Sequence, residues 1–245
     1  MLYRKQRIKF AVTCHILYKY FFLITCICCM TSSLNGVERF IEAFPNILVT
    51  SGAFYAKCWK VLPEEITKVT LGNSLTEDCP VPMNKLAYLQ LAHWNFHGDV
   101  DVGELIVHQS IAEEIIEIFH ELFDGKFPID KMVLIDEYDC DDALSMEDNN
   151  SSAFCCRSMT GKSNCYSIHS YGTAIDINPR LNPYIKGTTV LPQNGRQFLN
   201  RTLGVLGMIC EGDLCYRAFV SRGYQWGGHW QSLKDYQHFE KKPEL

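Results

Sequence analysis

Apolar residues recur at Ile111, Ile115, Ile118, Phe119 and Leu122, the three- and four-residue spacing of a helix that buries one face. The pattern predicts a helix from Ser110, as N-cap, to Phe123, stopped by Gly125 and kept from resuming by Pro128. Just before it, Glu104–His108 reads as a short strand, and Lys131–Tyr138 reads as another. In Thr173–Asn178, Ala174, Ile175 and Ile177 surround Asp176, as in a strand half buried in a core, and a neighbouring strand is expected over 153–159. Gln197–Val205 and Leu214–Ser221 read as helices, and Tyr224–Trp226 as a last strand. Lys85–Gly98, rich in aromatics and ending Gly98-Asp99, suits a loop, as does Leu181–Pro192 with its Asn182-Pro183 turn signal. The acidic stretch 139–150 lacks the alternating spacing of a calcium loop and reads as a solvated turn.

Composition narrows the class. The chain has 245 residues, 47% of them hydrophobic, enough for one large domain. A formal net charge of −5 excludes the basic face that nucleic-acid phosphates require. Arg4, Lys5, Arg7 and Lys9 precede an uncharged run, Tyr20–Met30, closing on Thr31-Ser32-Ser33; this predicts an export signal over 1–33, with an uncleaved membrane anchor as the alternative. The expected location is therefore the periplasm or cell envelope, with membrane contact only through that segment. Eight of the twelve cysteines follow it, and an even number in an exported chain reads as disulfides, with Cys58–Cys79 and Cys210–Cys215 as first pairings. A cysteine zinc cluster is the competing reading, disfavoured because no Cys-x-x-Cys occurs after the signal. His93 and His97, four apart, could share a helix face on a metal, but their aromatic surroundings suit a loop better.

The chemistry concentrates in the C-terminal half. His169 and Asp176, with Gly172 between them, place a nitrogen and an oxygen ligand on a stiff support, and His238 offers a second imidazole. Two imidazoles and a carboxylate around one zinc leave a fourth position for water, the arrangement of catalytic rather than structural zinc. Asp235, three residues before His238, reaches the same face if the segment makes one helical turn, and there it would act as general base. Arg157 is the candidate cation for a negatively charged carbonyl oxygen, with a surface salt bridge as its equal alternative.

These residues form a recognisable series. Ser167, His169, Gly172, Ala174 and Asp176, then Trp226-Gly227-Gly228 and Trp230, then Asp235, His238 and Phe239, resemble the motifs of the zinc D-alanyl-D-alanine carboxypeptidases and L-alanyl-D-glutamate endopeptidases. The similarity runs from Leu86 through Glu240 and includes Phe127-Pro128-Ile129 and the Asn149–Arg157 approach. It implies an α+β fold in which a small antiparallel sheet carries a zinc site in a cleft, with helices packed on one side. It also implies one zinc per chain on His169, Asp176 and His238, with Asp235 as base and Arg157 on substrate or oxyanion. Ser167, Trp226 and His229 are expected to line the substrate site. His229 stands where the family commonly carries aspartate, and a role behind the ligands or on the cleft wall is expected of it.

On this reading residues 34–85 are an extension of unassigned role, and 86–245 form a zinc peptidase domain, with a peptidoglycan stem peptide as the expected substrate and a monomer as the expected state. A zinc-containing module of the same fold that binds cell wall or protein without turnover is the competing class, and the presence of Asp235 and Arg157 argues against it.

Overall fold

Residues 53–159 and 162–242 are described by a computed structural model. The expected export segment, 1–33, lies outside the described residues. Within them no helix is long and apolar enough to cross a membrane. The architecture is mixed α and β, with small antiparallel sheets and a few helices.

The first sheet is built from β1 (Ala56–Trp59), β2 (Leu86–Trp94) and β3 (Val100–His108), in that order. β2 and β3 pair along their whole length, from Leu86 opposite His108 to Trp94 opposite Val100. The 85–98 stretch is thus mainly strand and not loop. Ala87, Leu89 and Leu91 pack into one cluster while Leu86 and Tyr88 pack into another, so both faces are covered and no polar alternation marks the strand. His93 is buried in β2 and His97 is exposed in the following turn, so the two share no metal site.

Each face of this sheet has its own cover. α1 (Glu64–Thr70) and its flanking loops bring Leu62, Ile66, Leu75 and Val81 against Tyr88 and Ile106. Residues 53–85 therefore belong to the same packing as the strands that follow. On the other face lies α2 (Ala112–Asp124), whose Ile115, Ile118, Phe119 and Leu122 meet Leu89, Leu91, Leu105 and Val107. The N-cap is Ile111, one residue later than the expected Ser110, because residues 109–111 form a 3-10 turn, and Gly125 closes the helix as expected.

Several expected elements take other forms. Lys131–Tyr138 makes one isolated bridge and then a 3-10 turn, because Asn150 satisfies its backbone in place of a neighbouring strand: Val133 N donates to Asn150 Oδ1 at 2.8 Å and Asn150 Nδ2 to Val133 O at 3.0 Å. The acidic turn contains α3 (Asp142–Glu147), capped by the Asp141 side chain, which accepts from the amides of Ala143 and Leu144. Over 153–159 only β4 (Ser158–Met159) is strand, paired with β5 (Lys162–Tyr166).

Beyond β6 (Ala174–Asp176), the loop expected at 181–192 holds a hairpin of β7 (Tyr184–Lys186) and β8 (Thr189–Leu191), and the helix expected over 197–205 is absent: a 3-10 turn over 193–198 ends at Phe198 and the rest is turn and irregular chain. α4 (Leu214–Val220) forms as expected, capped by Asp213. β9 (Gln225–Trp226), β10 (Lys234–Asp235) and β11 (His238–Glu240) end the domain. β11 lies between β6 and β9, and β10 pairs with β7. Phe239 stacks on Phe219 of α4 at 4.2 Å, which anchors the underside of the β6–β11 pair in the main core.

Candidate metal centre

Strand alternation creates the centre. Ile175 and Phe239 are paired across β6 and β11 and face the core, so Asp176 and His238, the next cross-strand pair, project from the opposite face. Glu240, two residues beyond His238, shares its side, and the His238 Nε2 to Glu240 Oε2 distance is 3.1 Å.

His169 arrives from outside the sheet, on a 3-10 turn over Ile168–Tyr171. Ser167 caps the turn by accepting a bond from the His169 amide at 3.3 Å, so its hydroxyl positions a candidate ligand; a substrate contact was expected of it. Gly172 closes the turn with φ of 68°, and a Cβ there would stand 2.7 Å from the His108 amide nitrogen. The motif's glycine is thus required both by its left-handed backbone and by the close approach of β3.

Three donor atoms converge. His169 Nε2 lies 3.2 Å from His238 Nδ1 and 3.2 Å from Asp176 Oδ2, and His238 Nδ1 lies 2.9 Å from Asp176 Oδ1. All three residues are buried, and among the described residues they form the one group of three or more metal-type ligands so gathered. Four ligands around zinc at ~2.0–2.1 Å stand roughly 3.3 Å apart, close to these separations.

The outer bonds suit a metal as well. His169 Nδ1 is 2.6 Å from the Ala153 carbonyl, which can only accept, so Nδ1 carries the proton and Nε2 offers its lone pair inward. Glu240 does the same for His238, leaving Nδ1 as the inward donor. A carboxylate or carbonyl behind each ligating imidazole is the usual way a protein orients it. Replacing Glu240 by alanine is expected to weaken zinc binding about 10–100-fold, read by competition with a chromophoric chelator.

Without metal the cluster is an ion network. Burial opposes the imidazolium of His238, but hydrogen bonds to Asp176 and Glu240 and the charges of Asp176 and Asp235 outweigh it and raise the ring to about 10. Burial likewise opposes charge on Asp176, yet the two imidazoles hold its carboxyl well below the usual carboxylate range. A metal must therefore displace a proton from His238 near neutral pH.

Asp235 and Arg157 complete the surroundings. The expected helical turn does not form: Asp235 ends β10, Tyr236 and Gln237 make a turn, and His238 begins β11. The two side chains nevertheless interact electrostatically. Gln237, almost fully buried, holds Asp235 Oδ1 at 3.2 Å. Burial, followed by the charges of Asp176 and Asp142, outweighs the pull of His238 and Gln237 and pushes Asp235 up to about 7. Gly227 makes room for this strand, since a Cβ there would meet the Asp235 carbonyl oxygen at 2.5 Å.

Arg157 is half-buried and paired with Asp142 at 3.1 Å, and its Nε is buried with no hydrogen-bond partner. Burial opposes its charge, but Asp142 and the Cys155 sulfur, with further contributions from Asp176 and Asp235, more than compensate. It lies in an irregular segment, held where its amide donates to Ser170 Oγ at 2.9 Å and its carbonyl accepts from Ser167 N at 3.0 Å.

Two expected substrate residues, Trp226 and His229, lie outside the ligand group and line one cavity together. Trp226 is 5% exposed, packs in the core and donates from Nε1 to the Tyr236 carbonyl. His229 is 47% exposed and lies 3.6 Å from Glu211, on the wall of a cavity of about 480 Å³ shared with Arg201 and Lys234, outside the ligand group. Sequence reasoning missed Glu240, Gln237 and Asp142, and it named Trp230, whose ring lies 5.4 Å from that of His238, without a role. Glu240 alone carried a readable signal, its two-residue offset from a ligand on one strand.

The sequence model of the D-alanyl-D-alanine carboxypeptidase family matches residues 160–241, which contain His169, Asp176, Asp235 and His238. No curated protein and no solved structure matches the chain.

Proposed function

We propose that this relative of the D-alanyl-D-alanine carboxypeptidases is a zinc peptidase that hydrolyses a peptide bond in peptidoglycan stem peptides. The reading rests on one observation above all, the convergence of His169 Nε2, His238 Nδ1 and the Asp176 carboxylate beside a second carboxylate, Asp235, that is not engaged in holding them. Zinc held by those three residues supplies Lewis acidity toward a carbonyl and lowers the pKa of water.

The chain's own groups do the rest. The Asp235 carboxylate accepts the proton of the attacking water and returns it to the leaving amine. Its burial, with the nearby charges of Asp176 and Asp142, keeps its basicity high enough for that exchange near neutral pH against the opposing pull of His238. Arg157, fixed by Asp142, places a positive charge toward the negative charge that builds on the former carbonyl oxygen. Export by residues 1–33 would deliver the protein, as a monomer, to a cell-wall substrate.

The test is mass spectrometry of muropeptides incubated with purified zinc-loaded protein. Loss of a terminal alanine identifies a carboxypeptidase, and scission between L-alanine and D-glutamate an endopeptidase. Either activity is expected to disappear with a zinc chelator and return on adding zinc. A loaded protein that binds muropeptides and leaves every one intact would establish a binding module instead.

A further inference from the structure

Cys155 and Cys156 adjoin each other on the segment Ala153–Arg157, which presents the Ala153 carbonyl to His169 and the Arg157 guanidinium to Asp142. Each faces a cysteine from a different part of the chain. Cys79 and Cys156 pack against the same buried cluster and their thiols interact, and the Cys140 thiol, 3.2 Å from Asn73 Oδ1, interacts with that of Cys155.

Backbone geometry brings the pairs together. Cys156 N donates to Ser74 O at 2.8 Å, and Thr76 Oγ1 lies 3.4 Å from Cys156 Sγ, which ties this cysteine to the loop that carries Cys79. Cys79 Sγ is itself 3.5 Å from the Ser170 carbonyl, one residue after the ligand His169. Cys140 occupies a turn whose two residues, Asp139 and Cys140, have φ of 52° and 59°, and its Sγ lies 3.2 Å from Asn73 Oδ1. All eight described cysteines are free thiols, so neither pairing read from the sequence is formed, and the Cys79 sulfur is directed to Cys156 instead of Cys58. The four sulfurs do not gather into a metal site, since the His169 group is the one convergent ligand set among the described residues.

We propose that Cys79 with Cys156, and Cys140 with Cys155, form two disulfides that fasten the Ala153–Arg157 segment on both sides of the chain. Each forms by exchange with an external disulfide R–S–S–R, small-molecule or protein-borne. One cysteine thiolate attacks R–S–S–R and releases RSH; the second displaces the other R–S group from the mixed disulfide. The two cysteines lose two electrons and two protons, and one R–S–S–R becomes two RSH. The consequence is positional: the carbonyl that sets the His169 tautomer and the cation of Arg157 are held by covalent links on adjacent residues. Nothing in this depends on catalysis, only on exposure to an oxidising compartment.

The test is peptide mapping of the full chain, exported by its host, alkylated without reduction and digested with trypsin. The expected product joins Val69–Lys85 to Met132–Arg157, four hydrogens lighter than the sum of the two reduced peptides. In Cys156→Ser, Val69–Lys85 is expected to come free with Cys79 alkylated, while Met132–Arg157 remains two hydrogens light. Retention of the link in that variant would mean the crossed pairing, and alkylated Cys79 and Cys140 in the wild-type protein would overturn the proposal. If the variant does not fold, the wild-type map still decides. Reductant is also expected to lower the wild-type Tm by about 5–15 °C. A linked map from a protein that cleaves no muropeptide would uphold these disulfides while removing the peptidase reading.

Discussion

Asp176→Ala is expected to eliminate zinc binding, from about one ion per chain to none by elemental analysis of the dialysed protein, and to abolish peptide cleavage with it. Removing one of three ligands should cost more than the ~100-fold in affinity that loss of an outer partner costs. The variant also leaves two buried imidazoles without their shared carboxylate, and breaking a buried ion pair from one side costs about 3–5 kcal/mol. The pH dependence has a definite sign. In the metal-free wild type, Asp176 is held below its ordinary range, so its contribution is present above ~4 and lost as pH falls further. His238, raised to about 10, contributes below ~6.5 and loses that contribution as pH rises through about 10. Thermal melts of the metal-free proteins should therefore differ most between ~4 and ~6.5, where both groups are charged in the wild type. An Asp176→Ala protein that keeps stoichiometric zinc would eliminate the assigned centre.

Asp235→Asn separates the base from the ligands. The amide keeps the size of the carboxyl and can still meet Gln237, but it cannot take a proton from water. Cleavage is expected to fall by roughly 10²–10⁴ in kcat, with zinc content unchanged. In the wild type, activity should decline as pH drops and Asp235 becomes protonated. That carboxyl sits up to about 7 without metal, and a dication at the His169 cluster favours its ionised form, so the acidic limb is expected at or below 7. The limb should be absent from the residual activity of the variant. Stability moves the other way: an acid whose folded-state pKa is raised stabilises the fold at low pH and loses that contribution as pH rises. The metal-free asparagine variant should accordingly melt no lower than wild type at pH 8. Full activity in Asp235→Asn would refute the assignment of the base.

Legibility followed the physical origin of each feature. α2 was readable because a helix with one buried face prints its period in the sequence, and Ile115, Ile118, Phe119 and Leu122 do so. β2 was not, because both of its faces are covered and its apolar residues run without alternation. The 131–138 segment has strand composition, yet its polar backbone groups are met by the side chain of Asn150, a partner that local pattern does not reveal. The ligand residues were named from their spacing and resemblance, while the tight β10-to-β11 turn replaced the helical turn invoked for Asp235. Cysteine pairing failed for a related reason: proximity along the chain suggested Cys58 with Cys79, whereas long-range packing sets Cys156 beside it.

By itself the sequence named the candidate residues and roughly where each lies along the chain: two imidazoles and a carboxylate as candidate ligands, a candidate base and a candidate cation. Tertiary structure decided which atoms meet. The cross-strand pairing of β6 with β11 sets Asp176 opposite His238, a separate turn brings His169 to them, and Ala153 and Glu240 select the inward nitrogens. Side-chain identity is local, but convergence on a point depends on strand register and on contacts between residues far apart in the chain, and those arise only when the whole core packs.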